Sequence, residues 1–519
     1  MAAFYFPDTF IYFTIAFYLS SALLFQFSDK KKLSVFLLFL GCFCLSFYLA
    51  NLDHFLYFWD EQYHALVAKN MMTNPFKPTL YAQPILDFNP ISWDKTSIWL
   101  HKPPLFLWQM ALSMKIFGVN EMAVRLPSVL MLSLLVVLTF RIGKLTFNET
   151  IGYFAAFLGS LSYFIHEIAV GFFNTDHNDV AFLFYITCSL WAFVEYQTSK
   201  NRKWLLLIGL FAGCAVLVKW LVGLLVFAGW FFMIITNKSL RNQLKSYTDM
   251  AVSVAVSMLV FLPWQIFILI KYPLESRHEF QLNAKHFFEV VEAHSGNILF
   301  HFKAMNDIYG GGDLVPYLLL LSLVFFFYNA KSKPIRNALL FNVFAVYLFY
   351  TLAKTKMPAF TLIMAPMFFL AIASMLYMLV KLLDKILQKQ RLLSNALTLL
   401  LLMSLGYSML NINKLNKDHS FEYNKTHSYT SRLSENVIKY KEMTTFFNDT
   451  NAVIFNCLPY EYPNIMFYTG MTAYGFMPDV DHINQLKKEN KKIIFFNDKD
   501  LPDYIAKDSS LLKLSIYHN

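Results

Sequence analysis

Charge is scarce in this sequence: only 15% of its 519 residues are Asp, Glu, Lys or Arg, against 57% hydrophobic and 18% aromatic. That balance excludes an ordinary soluble globule, in which about a quarter of the residues are charged. Cysteine is scarce too. Of the five, Cys42, Cys44, Cys188 and Cys214 lie inside apolar runs and only Cys457 stands in a polar segment, which excludes a disulfide framework. There is no internal repeat, no low-complexity tract and no stripe of interleaved basic and aromatic residues, so the formal charge of +10 does not point to nucleic acid. The first apolar run follows Asp8 without a basic leader or a small-residue cleavage pattern, and reads as a retained membrane helix rather than a signal peptide.

What is present is a series of apolar runs near the length of about 20 helical residues that a bilayer core requires. We expect twelve spans, at roughly 10–27, 33–52, 123–140, 151–171, 179–197, 204–218, 220–236, 250–270, 314–329, 337–353, 358–380 and 394–411. Basic residues cluster at Lys30 to Lys32, Arg141 with Lys144, Lys200 to Lys203, Lys238 to Lys245, Lys331 to Arg336 and Lys381 to Arg391. Each cluster follows an odd-numbered span, which by the positive-inside rule puts all six connections in the cytoplasm and both termini outside. The short segment 104–117 is expected to be re-entrant or interfacial. Segments 53–122 and 271–313 and everything after 411 then face outward. In the tail, NAVIFNC and DHINQLKKENKKIIFFND read as strand, helix and strand. The expected division is a membrane module over 1–411, carrying an acidic outer loop, and a small extracytoplasmic α/β domain over 412–519.

Three outer segments carry chemistry. In FWDEQYHALVAKNM, Asp60 and Glu61 follow an aromatic pair at the outer end of the second span. Two acids at that place are either a solvated helix start, favoured by the helix dipole, or a general base that takes the proton of an attacking hydroxyl. In HKPPLFLW, Lys102 precedes two prolines that stop a helix from starting earlier. Lys102, Lys219, Lys354 and Lys356 all fall on the side where short loops carry few positive charges, and a lipid-borne phosphate is the partner that would explain them. In NTDHNDVAF, Asp176, His177 and Asp179 lie within four residues. These could cap a helix, contact a sugar or acceptor, or hold a divalent metal.

The succession DEQYHALVAKNM, HKPPLFLWQMALSMKIFGVNEMAVRLPSVL and KTKMPAFTLIMAP resembles glycosyltransferase family 39, which includes the protein O-mannosyltransferases and the bacterial aminoarabinose transferase of lipid A. The resemblance is densest over 55–140 and weaker through about 380. It implies a polytopic α-helical membrane protein of GT-C type using a polyprenyl-phosphate sugar. By position, Asp60 resembles the essential loop aspartate, Glu61 the acid that commonly follows it, Lys102 the lysine near the carrier phosphate, and Asp179 the second acidic position, with Asp176 competing. Lys219 resembles a lysine usually followed by glycine, where this chain has Trp220; Lys356 lies where the family has basic residues, with Met357 and Phe360 in place of the more usual arginine and tyrosine.

The resulting expectation is a membrane enzyme in which an acceptor hydroxyl, on a protein, a lipid or a glycan, attacks the sugar carbon with inversion. Asp60 would be the base, Glu61 and Asp179 would assist, and Lys102, Lys219, Lys354 and Lys356 would face the phosphate. Tyr63, Asp176 and His177 would contact sugar or acceptor. The scheme requires no cofactor and no nucleic acid partner, and a bacterial inner membrane is the expected location. A polytopic transporter or a lipid-linked polymer ligase are the competing classes. The transporter lacks its usual inverted repeat, and the ligase its arginine-rich outer loops beyond Arg277 and His278.

Overall fold

The computed structural model describes residues 9–86, 88–92, 95–172, 177–310, 312–388, 390–419, 428–446, 451–458, 460–497 and 501–517; Asp176 lies outside the described residues. Among the described residues nine helices are long and apolar enough to cross a membrane: Phe10–Phe27, Lys31–Ala50, Glu121–Thr146, His177–Ser199, Lys203–Thr236, Leu244–Lys271, Lys333–Leu352, Pro358–Ile386 and Arg391–Asp418. The polytopic α-helical reading holds, with nine such helices where twelve spans were expected.

The difference arises in three places. The stretch 151–171 is broken into Glu149–Gly159 and Tyr163–Ala169. At the break, the Ser160 carbonyl accepts hydrogen bonds from the Tyr18 hydroxyl and the His166 Nε2, each at 2.8 Å, so this carbonyl, freed by the interruption, is satisfied in apolar surroundings. The runs 204–218 and 220–236 form one apolar stretch, divided at Trp220 into Lys203–Lys219, the 3-10 turn Trp220–Leu224 and Leu225–Thr236. Val315–Asn329 has 15 residues, about 22 Å of helix against a core of about 30 Å. Leu105–Phe117, expected to be re-entrant or interfacial, is a helix of 13 residues with Leu112, Ile116 and Phe117 exposed.

Contacts group the chain into two compact units. The first comprises Met1–Leu52, Arg125–Pro273 and Glu279–Asn416. Within it, close helix packing depends on two glycines four residues apart. A Cβ at Gly209 would stand 2.4 Å from the Ser253 carbonyl oxygen, and one at Gly213 would stand 2.6 Å from the Val260 Cβ. Their bare backbones let Lys203–Lys219 lie against Leu244–Lys271, and the Ser253 hydroxyl ties the two by donating to the Leu205 carbonyl at 2.9 Å.

The second unit comprises Asp53–Val124, Leu274–His278 and Lys417–Asn519. Its tail portion contains a four-stranded sheet of order β2-β1-β3-β4 with β1 Ala452–Phe455, β2 Thr472–Ala473, β3 Lys492–Phe496 and β4 Leu512–Leu514, every pairing parallel. β1 is wholly buried and β3 is buried after Lys492, as apolar strands covered on both faces should be. The strand, helix and strand legible in the tail are β1, Val480–Lys488 and β3.

Candidate functional site

In the second unit the helix Asp60–Met71 begins directly after Trp59, whose backbone has φ 75° and ψ −112°. L-residues rarely adopt that conformation, and a bulky one is strained there. Both Asp60 and Glu61 lie in the first turn, where the helix dipole favours negative charge. The two acids differ in surroundings. Glu61 is 1% exposed and its carboxylate accepts the Tyr57 backbone N–H at 2.6 Å, closing the loop on itself, whereas Asp60 is half-buried. The Tyr57 hydroxyl donates to the Asp53 carboxylate, which also meets His419 Nδ1 at 2.8 Å.

The rest of this helix is a platform. Tyr63 is buried and its hydroxyl meets that of Tyr462 at 2.7 Å, so the structure gives it a partner in the protein itself. The Lys69 ammonium donates to the Met466 and Phe467 carbonyls at 3.1 and 2.6 Å, at the end of the helix Tyr462–Thr469; burial lowers its pKa to about 8. His64 lies edge-on to Trp99 and Phe106, at centroid distances of 5.5 and 4.9 Å. Segment 97–99 is tied to 78–80 by Leu80 N–H to Ser97 and Trp99 N–H to Pro78, at 3.0 and 2.9 Å. The acidic helix therefore packs beside the turn that carries Lys102, which is half-buried ahead of Leu105–Phe117.

The first unit gathers a different set. Asp179 is buried in the first turn of His177–Ser199 and pairs with the ammonium of Lys219, the last residue of Lys203–Lys219. The acid stands at a helix start and the base at a helix end, so both helix dipoles favour the pair. The Lys219 ammonium also lies 5.1 Å from the centre of the Phe360 ring, and Phe360 stacks on Tyr350 at 4.9 Å. Lys356 is buried and donates to the Tyr350 and Thr351 carbonyls at 2.8 and 2.6 Å, closing the end of Lys333–Leu352; burial, then Lys354, lowers its pKa. Lys354 is exposed. The Lys354–Lys356 turn is laced to 286–294 by backbone bonds from Lys354 to Phe287, Thr355 to His286 and Lys356 to His294, at 3.0–3.1 Å. His177 is buried, its Nδ1 near Ser128 Oγ and the Ala169 carbonyl at 3.1 Å.

Three features of these two sets emerge only from the structure, the second at Trp220, a residue the sequence already marked as standing in place of glycine. The Asp179–Lys219 pair joins residues 40 apart. Trp220 takes φ 61° and ψ −163°, a backbone that suits glycine, and rests edge-on against Phe280 at 4.9 Å. His301, 1% exposed, lies 6.1 Å ring to ring from Tyr350, and neither ring nitrogen makes a well-aligned hydrogen bond to a described residue. Burial first, and the Lys356 ammonium second, push its pKa down to about 4 against a small opposing pull from the Tyr350 carbonyl. Among the described residues no three His, Cys, Asp or Glu side chains are grouped so as to hold a metal ion.

A family model described as dolichyl-phosphate-mannose-protein mannosyltransferase matches residues 101–267. The chain is 27% identical over 312 residues to an uncharacterised protein of Aquifex aeolicus, covering 58% of this chain and 56% of that protein. It is 27% identical over 239 residues to undecaprenyl phosphate-alpha-4-amino-4-deoxy-L-arabinose arabinosyl transferase 2 of Pseudomonas fluorescens, covering 44% of this chain and 39% of that protein. The matched stretches thus span about half the length of these relatives, or less. In structure, the chain is similar to ArnT from Cupriavidus metallidurans bound to undecaprenyl phosphate, with a TM-score of 0.58 at 14% identity over 87% of each chain. That likeness shows the fold, which is of the GT-C type.

Proposed function

We propose that this chain is a membrane glycosyltransferase that moves a sugar from a polyprenyl-phosphate donor to an acceptor hydroxyl on the extracytoplasmic side of a bacterial inner membrane. The observation that carries the reading is the contrast within the acidic pair on a GT-C fold: Glu61 is buried and holds the Tyr57 amide, while Asp60 is half-buried at the start of the same helix. In the reaction the acceptor oxygen forms a bond to C1 of the sugar as the bond from C1 to the phosphate oxygen breaks, with inversion. The electron pair leaves with the polyprenyl phosphate, and the acceptor proton passes to Asp60. The leaving phosphate calls for cations rather than a proton, and Lys102, Lys219, Lys354 and Lys356 supply them. Use of Lys219 in this way exchanges its pairing with Asp179 for one with phosphate, leaving the Asp179 carboxylate to hydrogen-bond the sugar. The scheme requires no cofactor. The acceptor is a protein, a lipid or an envelope glycan.

Mass spectrometry of envelope lipids and glycoproteins from cells with and without the gene tests this reading. A product heavier by one sugar, present only with the gene and lost with Asp60→Asn, is the expected result. Identical envelopes in both strains under conditions of confirmed expression would overturn it.

A further inference from the structure

The acidic segment is not held by its own loop alone. The backbone after β1 turns twice through positive φ, at Asn456 with 60° and Tyr460 with 63°. Both ends of that turn are anchored: Asn456 Nδ2 donates to the Phe496 carbonyl at 2.8 Å, while the buried Glu461 carboxylate accepts from the Tyr440 hydroxyl at 2.6 Å and Asn436 Nδ2 at 3.1 Å. In parallel sheets the loops beyond the carboxyl ends of strands, where the strand order reverses, are the usual ligand-contacting positions. Here the β1 loop meets another part of the same compact unit. The Tyr460 ring lies 4.9 Å from Trp59 and 6.1 Å from Phe58. Around it, the Tyr468 hydroxyl receives the Leu56 N–H at 3.0 Å, and the Tyr63 and Tyr462 hydroxyls meet at 2.7 Å.

Two aromatic residues thus sit on backbone that L-residues avoid, one immediately before Asp60, and their rings rest on one another. A strained conformation persists only where its surroundings over-determine it, at about 1–3 kcal/mol each. We infer that Tyr460 is a positioning residue: its ring braces Trp59 in the strained conformation from which Asp60 departs and so aims that carboxylate. The inference rests on the reading of Asp60 as base. The ring braces, and the hydroxyl has no part in it.

Glycine supplies the test, because at φ 63° it removes the ring and relieves the backbone together. Full-length Tyr460→Gly in nanodiscs should unfold at or above the wild-type temperature, yet show faster hydrogen exchange at amides 57–64. In gene-deleted cells it should yield about tenfold less of the sugar-modified envelope component. Tyr460→Phe should restore both. If Tyr460→Gly does not fold, Trp59→Gly probes the same contact from the other side, again where glycine is the unstrained residue. Wild-type exchange over 57–64 in the folded glycine variant overturns the inference whatever Asp60 does. Faster exchange with full product, alongside an inactive Asp60→Asn, overturns the positioning role. Full product from Asp60→Asn overturns the base reading instead, and the exchange measurement then decides the brace by itself.

Discussion

Two ionisable residues among those described, Asp60 and Lys219, stand next to a tryptophan with positive φ, and the two neighbourhoods are built in opposite senses. At Trp59 the strained residue comes before the charge: Asp60 opens a helix, half-buried, and the acid beside it is engaged by the Tyr57 amide. At Trp220 it comes after the charge: Lys219 closes a helix and is paired with the buried Asp179. In the first neighbourhood two like charges are separated by giving one of them a backbone partner. In the second, opposite charges hold each other until a third group competes. The first arrangement suits proton transfer, and the second suits an ammonium that exchanges one anion for another.

The largest effect expected from breaking this comparison is at Asp60. Asp60→Asn keeps the size and the capping ability but removes the proton acceptor, so transfer should fall by about 10²-fold or more at unchanged protein level. Glu61→Gln still offers an oxygen to Tyr57 and should lose far less; a larger loss at Glu61 would move the base to that residue. Next comes the Asp179–Lys219 pair. Asp179→Asn or Lys219→Gln strands one charge in a mostly buried place and should destabilise by about 3 kcal/mol, read as a lowered melting temperature in nanodiscs. The double variant should melt above either single one, and additive losses would show that the two residues do not act as a pair.

A smaller effect separates the neighbourhoods by pH. His301, beside Lys356, has its pKa depressed to about 4, while in an unfolded chain it takes up its proton near about 6.5. Between those values the unfolded chain binds more protons, so stability should decline as pH falls from about 6.5 toward about 4. His301→Gln should flatten that decline, and an unchanged profile would locate the sensitivity elsewhere. Smallest of all is Trp220→Gly. Relief of strain offsets the lost contact with Phe280, so melting temperature and transfer should stay near wild type. A tenfold loss of transfer at Trp220 would erase the distinction from Trp59.

Long apolar runs made most of the helices legible, since a bilayer imposes both length and composition. Two of the four strands of the tail, β1 and β3, were legible for a similar reason, as short apolar runs flanking a charged helix, whereas the short β2 and β4 were not. The break inside the run 151–171 was not legible either. Nothing in the letters at Ser160 says that Tyr18 and His166 will satisfy a freed carbonyl, and Gly209 and Gly213 reveal their role only once Ser253 and Val260 lie against them. Candidate residues were found singly, by charge and position, but their partners were not. Asp179 meets Lys219 across 40 residues, while Tyr63, flagged for ligand contact, bonds Tyr462 across 399. The departure at Trp220 is the instructive case: its φ of 61° shows why a glycine suits that place.

The contact between Trp59 and Tyr460 also has a consequence in time. The acidic segment leaves the ribosome well before the ring that rests on it; the neighbouring Tyr63 and Tyr462 are 399 residues apart. At about 5–20 residues per second of synthesis, Asp60 waits roughly 20 to 80 seconds before its brace exists. On the reading of Asp60 as base, a chain truncated within that interval carries the carboxylate but not the means of aiming it, so partly made protein should transfer no sugar.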